Sequence, residues 1–157
     1  MTMDAPNPTD TQSLVLGYKG HPAYDATAEA NRQAIVDAMD AMAGGDADSF
    51  WSLFDPDVTF FEASCLPYGG AHRGLAATQQ AFAKLAASFA KMHSEFEAVL
   101  ASRDIVILYQ HIDFEAAGTG KTGAFPVAEL FRFRDGRIIE WRAHYFDACA
   151  MAEALRE

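Results

Sequence analysis

The hydrophobic and polar positions change period once along the chain. Between Thr27 and Ala43 apolar residues recur at helical spacing, with Ile35, Met39 and Met42 on one stripe. Asp25 or Thr27 is placed to cap this helix, Glu29 suits the positive end of its dipole, and Gly44-Gly45 ends it. Asp46 then caps a second, short helix carrying Phe50, Leu53 and Phe54, which Asp55-Pro56 stops. Val58 to Glu62 reads as a strand. The stretch from Cys65 to Gly74, with Pro67, Gly69, Gly70 and Gly74, must bend. Leu75, Thr78, Phe82, Leu85 and Phe89 recur at spacings of three and four and predict a third helix from about Leu75 to Lys91.

From Met92 onward the period becomes two. Phe96, Ala98 and Leu100 alternate with Glu95, Glu97 and Val99, and further strands are expected over 104–115, 122–134 and 137–147. Asp135-Gly136 supplies the positive φ angles of a tight hairpin. The tail to Glu157 adds a short helix. Helices first and a strand meander afterwards is the α+β pattern. A curved antiparallel sheet cannot leave an aromatic face in water, and the three N-terminal helices are the elements available to cover its concave side. Residues 1–24 read as a loose arm, with a weak strand at 13–18, and residues 25–157 as a single domain.

Composition sharpens this picture. The 157 residues are half hydrophobic and 12% aromatic, enough for one domain with a sizeable core. A formal net charge of −10 argues against nucleic acid and against anionic membrane surfaces, both of which call for basic patches. No apolar run approaches the ~20 residues of a membrane span, and no basic region precedes an apolar one at the N-terminus. The expected location is therefore the cytoplasm. Cys65 and Cys149 are too few for a disulfide scaffold and form no CxxC pair; they are expected as reduced, semi-buried thiols.

The candidate chemistry lies in two carboxylates. On the strand over 122–134, Phe125, Val127, Glu129, Phe131 and Phe133 share one face, apolar except for Glu129 at its centre. A carboxylate there loses hydration, which favours the neutral acid and raises the pKa, as a general acid or a hydrogen-bond donor requires near neutral pH. Glu62 follows Phe60 on the face that carries an aromatic inward, at a strand end where a side chain reaches a pocket mouth. Arg73, Arg132 and Arg142 are the guanidinium groups that could neutralise either one. On the last strand Ile139, Trp141, Ala143 and Tyr145 form one face. Trp141 and Tyr145 are expected to line a cavity with Phe131 and Phe133, the Tyr145 hydroxyl bonding Glu129, a ligand or, as a core tyrosine, the backbone. Tyr109, His111 and Asp113 read as the polar outer face of the sheet, with His144 also outward, and no metal site is expected. Nucleophile and phosphate-loop motifs are absent.

The order of elements resembles the NTF2-like superfamily, which includes SnoaL-like polyketide cyclases, ketosteroid isomerases and limonene epoxide hydrolases. The resemblance covers about Ala28 to Ala150. It rests on Ala43-Gly44-Gly45-Asp46, on Leu53-Phe54-Asp55-Pro56-Asp57-Val58, on Arg73-Gly74, and on Glu129-Leu130-Phe131-Arg132-Phe133-Arg134-Asp135-Gly136 leading to Trp141-Arg142. It implies a cone-shaped fold around an apolar pocket, no cofactor, and pairing into a homodimer through the sheet. Compared with ketosteroid isomerases, Glu62 falls where that family keeps its catalytic base and Glu129 where it keeps a protonated aspartate that donates to an oxyanion. The isomerase's oxyanion tyrosine corresponds to Ala38 and its supporting tyrosine to Phe82, so strict steroid isomerisation is not implied.

The expected protein is thus a cofactor-independent acid–base enzyme acting on a small hydrophobic carbonyl compound in a closed pocket. Glu62, Glu129 and Tyr145 are its catalytic candidates. Ala38, Met42, Phe54, Phe60, Phe82, Val127, Phe131 and Trp141 are expected to contact the ligand. A ligand-binding module without catalysis and a dimeric interaction module are the open alternatives.

Overall fold

The computed structural model describes residues 24–156. The expected arm, apart from Tyr24, and the weak strand at 13–18 lie outside the described residues. Asp25 caps α1 (Ala26–Ala43), its carboxylate accepting the Ala28 N–H at 2.9 Å. Asp46 caps α2 (Ala47–Ser52) in the same way through Ser49. There follow β1 (Phe54–Glu62), β2 (Gly70–Arg73), α3 (Leu75–Ala87), β3 (Phe89–Ser102), β4 (Ile105–Ala116), β5 (Thr122–Arg134), β6 (Arg137–Tyr145) and α4 (Ala148–Leu155). Among the described residues no helix is long and apolar enough to cross a membrane.

The six strands form one curved, unclosed sheet in the order β2-β1-β6-β5-β4-β3. The helices α1 and α3 pack against its inner face. One pairing departs from the antiparallel expectation: β1 runs parallel to β6. The whole of β2, α3 and β3–β5 forms the long crossover that a parallel pair requires. Asp135 and Gly136 both adopt positive φ, 51° and 75°, as the β5–β6 hairpin demands.

Several boundaries differ from the pattern in the sequence. Phe54 leaves the second helix and opens β1, opposite Ile138, while Pro56 sits where the β1–β6 register slips between Phe54 and Thr59 and no ladder hydrogen bond is forfeited. The third helix stops at Ala87, where the Ser88 N–H closes on the Lys84 and Leu85 carbonyls; Phe89 then pairs with Ala116 at the start of β3. The expected bend after Cys65 contains the short edge strand β2, paired with Thr59–Glu62. Gly69 is required there, since a Cβ would lie 2.2 Å from the Ala63 carbonyl oxygen.

Three bulges flip side-chain parity, the first at Ala90 between the pairs Phe89–Ala116 and Lys91–Glu115. Between the pairs Phe96–Gln110 and Ala98–Tyr109 the extra residue is Glu97, so Phe96 shares a face with Val99 and not with Leu100. Between Phe133–Ile138 and Arg132–Glu140 the extra residue is Ile139, so Ile138 turns inward beside Trp141 in place of Ile139.

The apolar interior divides into two clusters. Ile35, Phe50, Phe54, Phe60, Phe131, Ile138 and Trp141 fill the end under α1 and α2. Leu66, Tyr68, Phe89, Phe114, Phe125, Val127 and Met151 fill the end under α4. Walls of both clusters face a shared cavity.

Candidate active site

A cavity of about 340 Å³ lies between the sheet and the helices. Phe50, Leu108, Phe131 and Trp141 line it from one cluster, and Phe89, Ile112, Val127 and Tyr145 from the other. Glu62, Gln110, Glu129, Trp141 and Tyr145 gather on its wall, and Lys91 and Ser94 on β3 also line it, with Lys91 paired to Glu115 at 2.7 Å. It is not closed. Met39 and Met42 at the end of α1 and the exposed Met92 and Phe96 on β3 border an opening.

The strand registers explain this convergence. Pro126 pairs regularly with His111, so period two holds unbroken along β5 and aims Glu129 inward between Val127 and Phe131. Glu129 accepts a hydrogen bond from Gln110 Nε2 at 2.7 Å on one oxygen and one from the Trp141 indole N–H on the other. Glu62, at the end of β1, is only 7% exposed. Its Oε1 accepts from the Tyr145 hydroxyl at 3.0 Å, while its buried Oε2 has no partner. Tyr145 therefore bonds Glu62, and not Glu129.

Burial dominates the electrostatics. It pushes the Glu62 carboxyl up to about 8, with the nearby Glu129 charge adding to the rise and the Tyr145 hydrogen bond opposing it. It pushes Glu129 up to about 7 against the pull of Trp141 and Gln110, whose N–H groups favour the anion. Tyr145 is raised well above its ordinary value, first by burial and then by the Glu62 charge. No guanidinium relieves the pair. Arg132 is paired with Asp104 at 3.0 Å, and Arg142 with Glu140 at 2.7 Å while its guanidinium lies over the Phe61 ring. Arg73 is exposed at the sheet edge.

Of the residues expected at the ligand, Met42, Phe82, Val127, Phe131 and Trp141 line the cavity together with Glu62, Glu129 and Tyr145. Ala38, Phe54 and Phe60 do not: they are buried in the cluster behind the wall, Phe60 stacked on Trp141 at 4.1 Å. Phe133 is likewise core and not lining. Gln110 was not foreseen, although it carries the same mark as Glu129, a polar residue centred in the buried run Val106, Leu108, Ile112 and Phe114. Asp113 and His144 are exposed and His111 half-buried, on the outer side of the sheet. Among the described residues no three His, Cys, Asp or Glu side chains converge to hold a metal ion. Cys65 and Cys149 are free and exposed, not semi-buried.

Comparison with known proteins bears on this geometry. The family model of the SnoaL-like domain matches residues 35–141. Bal32a, from a soil-derived mobile gene cassette, is 26% identical; its structure superposes with a TM-score of 0.74, covering 83% of this chain and 99% of that one. An NTF2-like protein of unknown function from Burkholderia pseudomallei K96243 is 18% identical, with a TM-score of 0.73 over 82% of this chain and 98% of its own. A candidate SnoaL-like polyketide cyclase from Jannaschia sp. CCS1 is 19% identical, with a TM-score of 0.72 over 85% and 96%. At such identities the last two speak to the fold alone. None of the curated proteins matches the sequence.

Proposed function

The chain belongs to the SnoaL-like domain family within the NTF2-like superfamily, and from that premise we propose that it is a cofactor-independent acid–base enzyme acting on a small hydrophobic carbonyl compound. One observation carries the reading: two carboxyl groups, both raised by burial and, among the described residues, neither paired with a cation, face one apolar cavity.

The hydrogen bonds favour one division of labour. An indole N–H only donates, so Trp141 fixes its Glu129 oxygen as an acceptor, and Gln110 supplies a second donor. Among the described residues the one side chain that bonds Glu62 is Tyr145, whose hydroxyl turns to donate or accept, beside the Ala63 backbone N–H. A proton shared by the pair therefore rests on Glu62, and Glu129 remains the anion. This reverses the roles that the resemblance to ketosteroid isomerases implies.

In this mechanism Glu129 takes a proton from the carbon next to the substrate carbonyl. The electron pair of that C–H bond moves toward the carbonyl oxygen, which accepts a hydrogen bond from the Glu62 carboxylic acid, and Tyr145 holds Glu62 in place. Returning the proton to a second carbon isomerises the substrate. Attack of the enolate carbon on an internal carbonyl cyclises it, the electron pair of that carbonyl moving to its oxygen, which takes the proton back from Glu129.

Exchange of α-hydrogens in heavy water, followed by proton NMR over a panel of apolar cyclic and aromatic ketones, tests the reading before any product is known. The protein accelerates exchange for at least one ketone. Glu129→Gln lowers the rate by roughly a hundredfold or more and retains binding. Ketones that bind without exchange would leave a binding module in its place.

We also propose a homodimer through the outer face of the sheet, where Leu100 and Tyr109 are 56% and 37% exposed beside His111 and His144.

A further inference from the structure

We propose that Cys65 and Cys149 form a site of reversible oxidation, a disulfide that staples the β1–β2 connection to α4. Neither thiol lines the cavity, and the acid–base reading makes no use of them. Two contacts place them together. The Cys65 Sγ lies 3.6 Å from the Ala148 carbonyl oxygen, and the Tyr68 hydroxyl donates to Met151 Sδ at 3.3 Å. The turn 65–68 therefore touches the first turn of α4 at both of its ends. Cys149 directly follows Ala148, and standard peptide geometry puts its Cα about 3 Å from that carbonyl oxygen. The Cys65 sulfur thus lies no more than roughly 7 Å from the Cys149 Cα. Both residues are exposed and open to a soluble oxidant. The bond requires the two side chains to rotate toward each other, with Cα atoms no more than about 7 Å apart.

The oxidant class is a low-molecular-weight disulfide such as oxidised glutathione. The thiolate of one cysteine attacks it, forming a mixed disulfide and expelling one glutathione thiolate. The second cysteine's thiolate attacks the protein-bound sulfur and expels the other. The two protein thiols lose two electrons and two protons, and the oxidant is reduced to two thiols. The staple spans the Tyr68–Met151 contact. Tyr68 and Tyr145 act on each other electrostatically, and Tyr145 holds Glu62. Oxidation therefore fixes the wall behind Glu62, while reduction leaves it held by the thioether contact, the weak Cys65 thiol contact to the Ala148 carbonyl and apolar packing.

The test is intact-mass spectrometry of the full chain equilibrated in glutathione redox buffers, with peptide mapping. The expected product is a monomer lighter by two hydrogens, in which the peptides containing Cys65 and Cys149 are cross-linked, reverting under dithiothreitol. Its melting temperature exceeds that of the reduced protein by roughly 5–15 °C. Cys65→Ser and Cys149→Ser each stop at a single glutathione adduct. Glutathione on both thiols of the wild type, no reaction, or a cross-link between two chains would each overturn the proposal. The decisive arm uses the wild-type protein and does not depend on a variant folding.

Discussion

The indole N–H of Trp141 on β6 donates to the Glu129 carboxyl on the neighbouring strand β5. A tryptophan in an apolar wall is ordinarily a packing residue, and this one packs too, stacked between Phe60 and Phe131. Its nitrogen also fixes the protonation preference of the acid beside it. Glu129 holds two one-way donors, Glu62 holds a reversible one, and the difference separates two carboxyls of one residue type on one cavity wall.

Replacing Trp141 with Phe keeps a ring against Phe60 and Phe131 and removes the donor, together with part of the indole's packing, a loss that does not vary with pH. Glu129 then titrates higher than about 7, by on the order of one pH unit. The sign follows from the loss of a bond that favours the anion. Above neutral pH the variant is less stable than wild type by about 1–3 kcal/mol. The gap narrows as acid protonates Glu129. Urea melts at several pH values, alongside infrared titration of the carboxyl, check both effects.

Glu62 makes stability fall with rising pH. Its folded pKa of about 8 lies above that of an unfolded glutamate, so between about 4.3 and that value the folded protein keeps a proton that the unfolded chain has released. The contribution is fully present below the unfolded pKa and is lost as pH rises through the folded one. Glu62→Gln removes this dependence and still accepts from Tyr145. Denaturant melts should find the variant close to wild type near pH 5 and more stable by on the order of 2 kcal/mol or more near pH 9.

The outer sheet face predicts a dimer. Light scattering at micromolar concentration should give twice the chain mass for wild type, and Tyr109→Asp should give the monomer. A wild-type monomer removes the proposed contact.

How much of this was legible in the sequence depends on what each residue needed from partners far along the chain. Glu129 was found because β5 keeps period two from Phe125 through Phe131, and a carboxylate centred in that run stands out. Gln110 has the same setting on β4 and escaped notice because a neutral amide raises no charge alarm. The bulges at Glu97 and Ile139 are defined by a partner strand, so parity read from one strand alone put Phe96 beside Leu100 and turned Ile139 inward. The parallel β1–β6 pair joins residues some eighty positions apart, and nothing local encodes it. Phe60 follows from period two along β1, whereas Ala38 enters through the resemblance alone; periodicity gives direction and not depth, and both, with Phe54, lie behind the cavity wall.

The most direct measurement is a pH titration of the glutamate side-chain carboxyls by carbon-13 NMR, with Glu62→Gln and Glu129→Gln assigning the two signals. The account predicts that Glu62 still carries its proton at neutral pH and releases it near 8, after Glu129 has ionised near 7. Two signals that both titrate near 4, the range of a solvated glutamate, would contradict it.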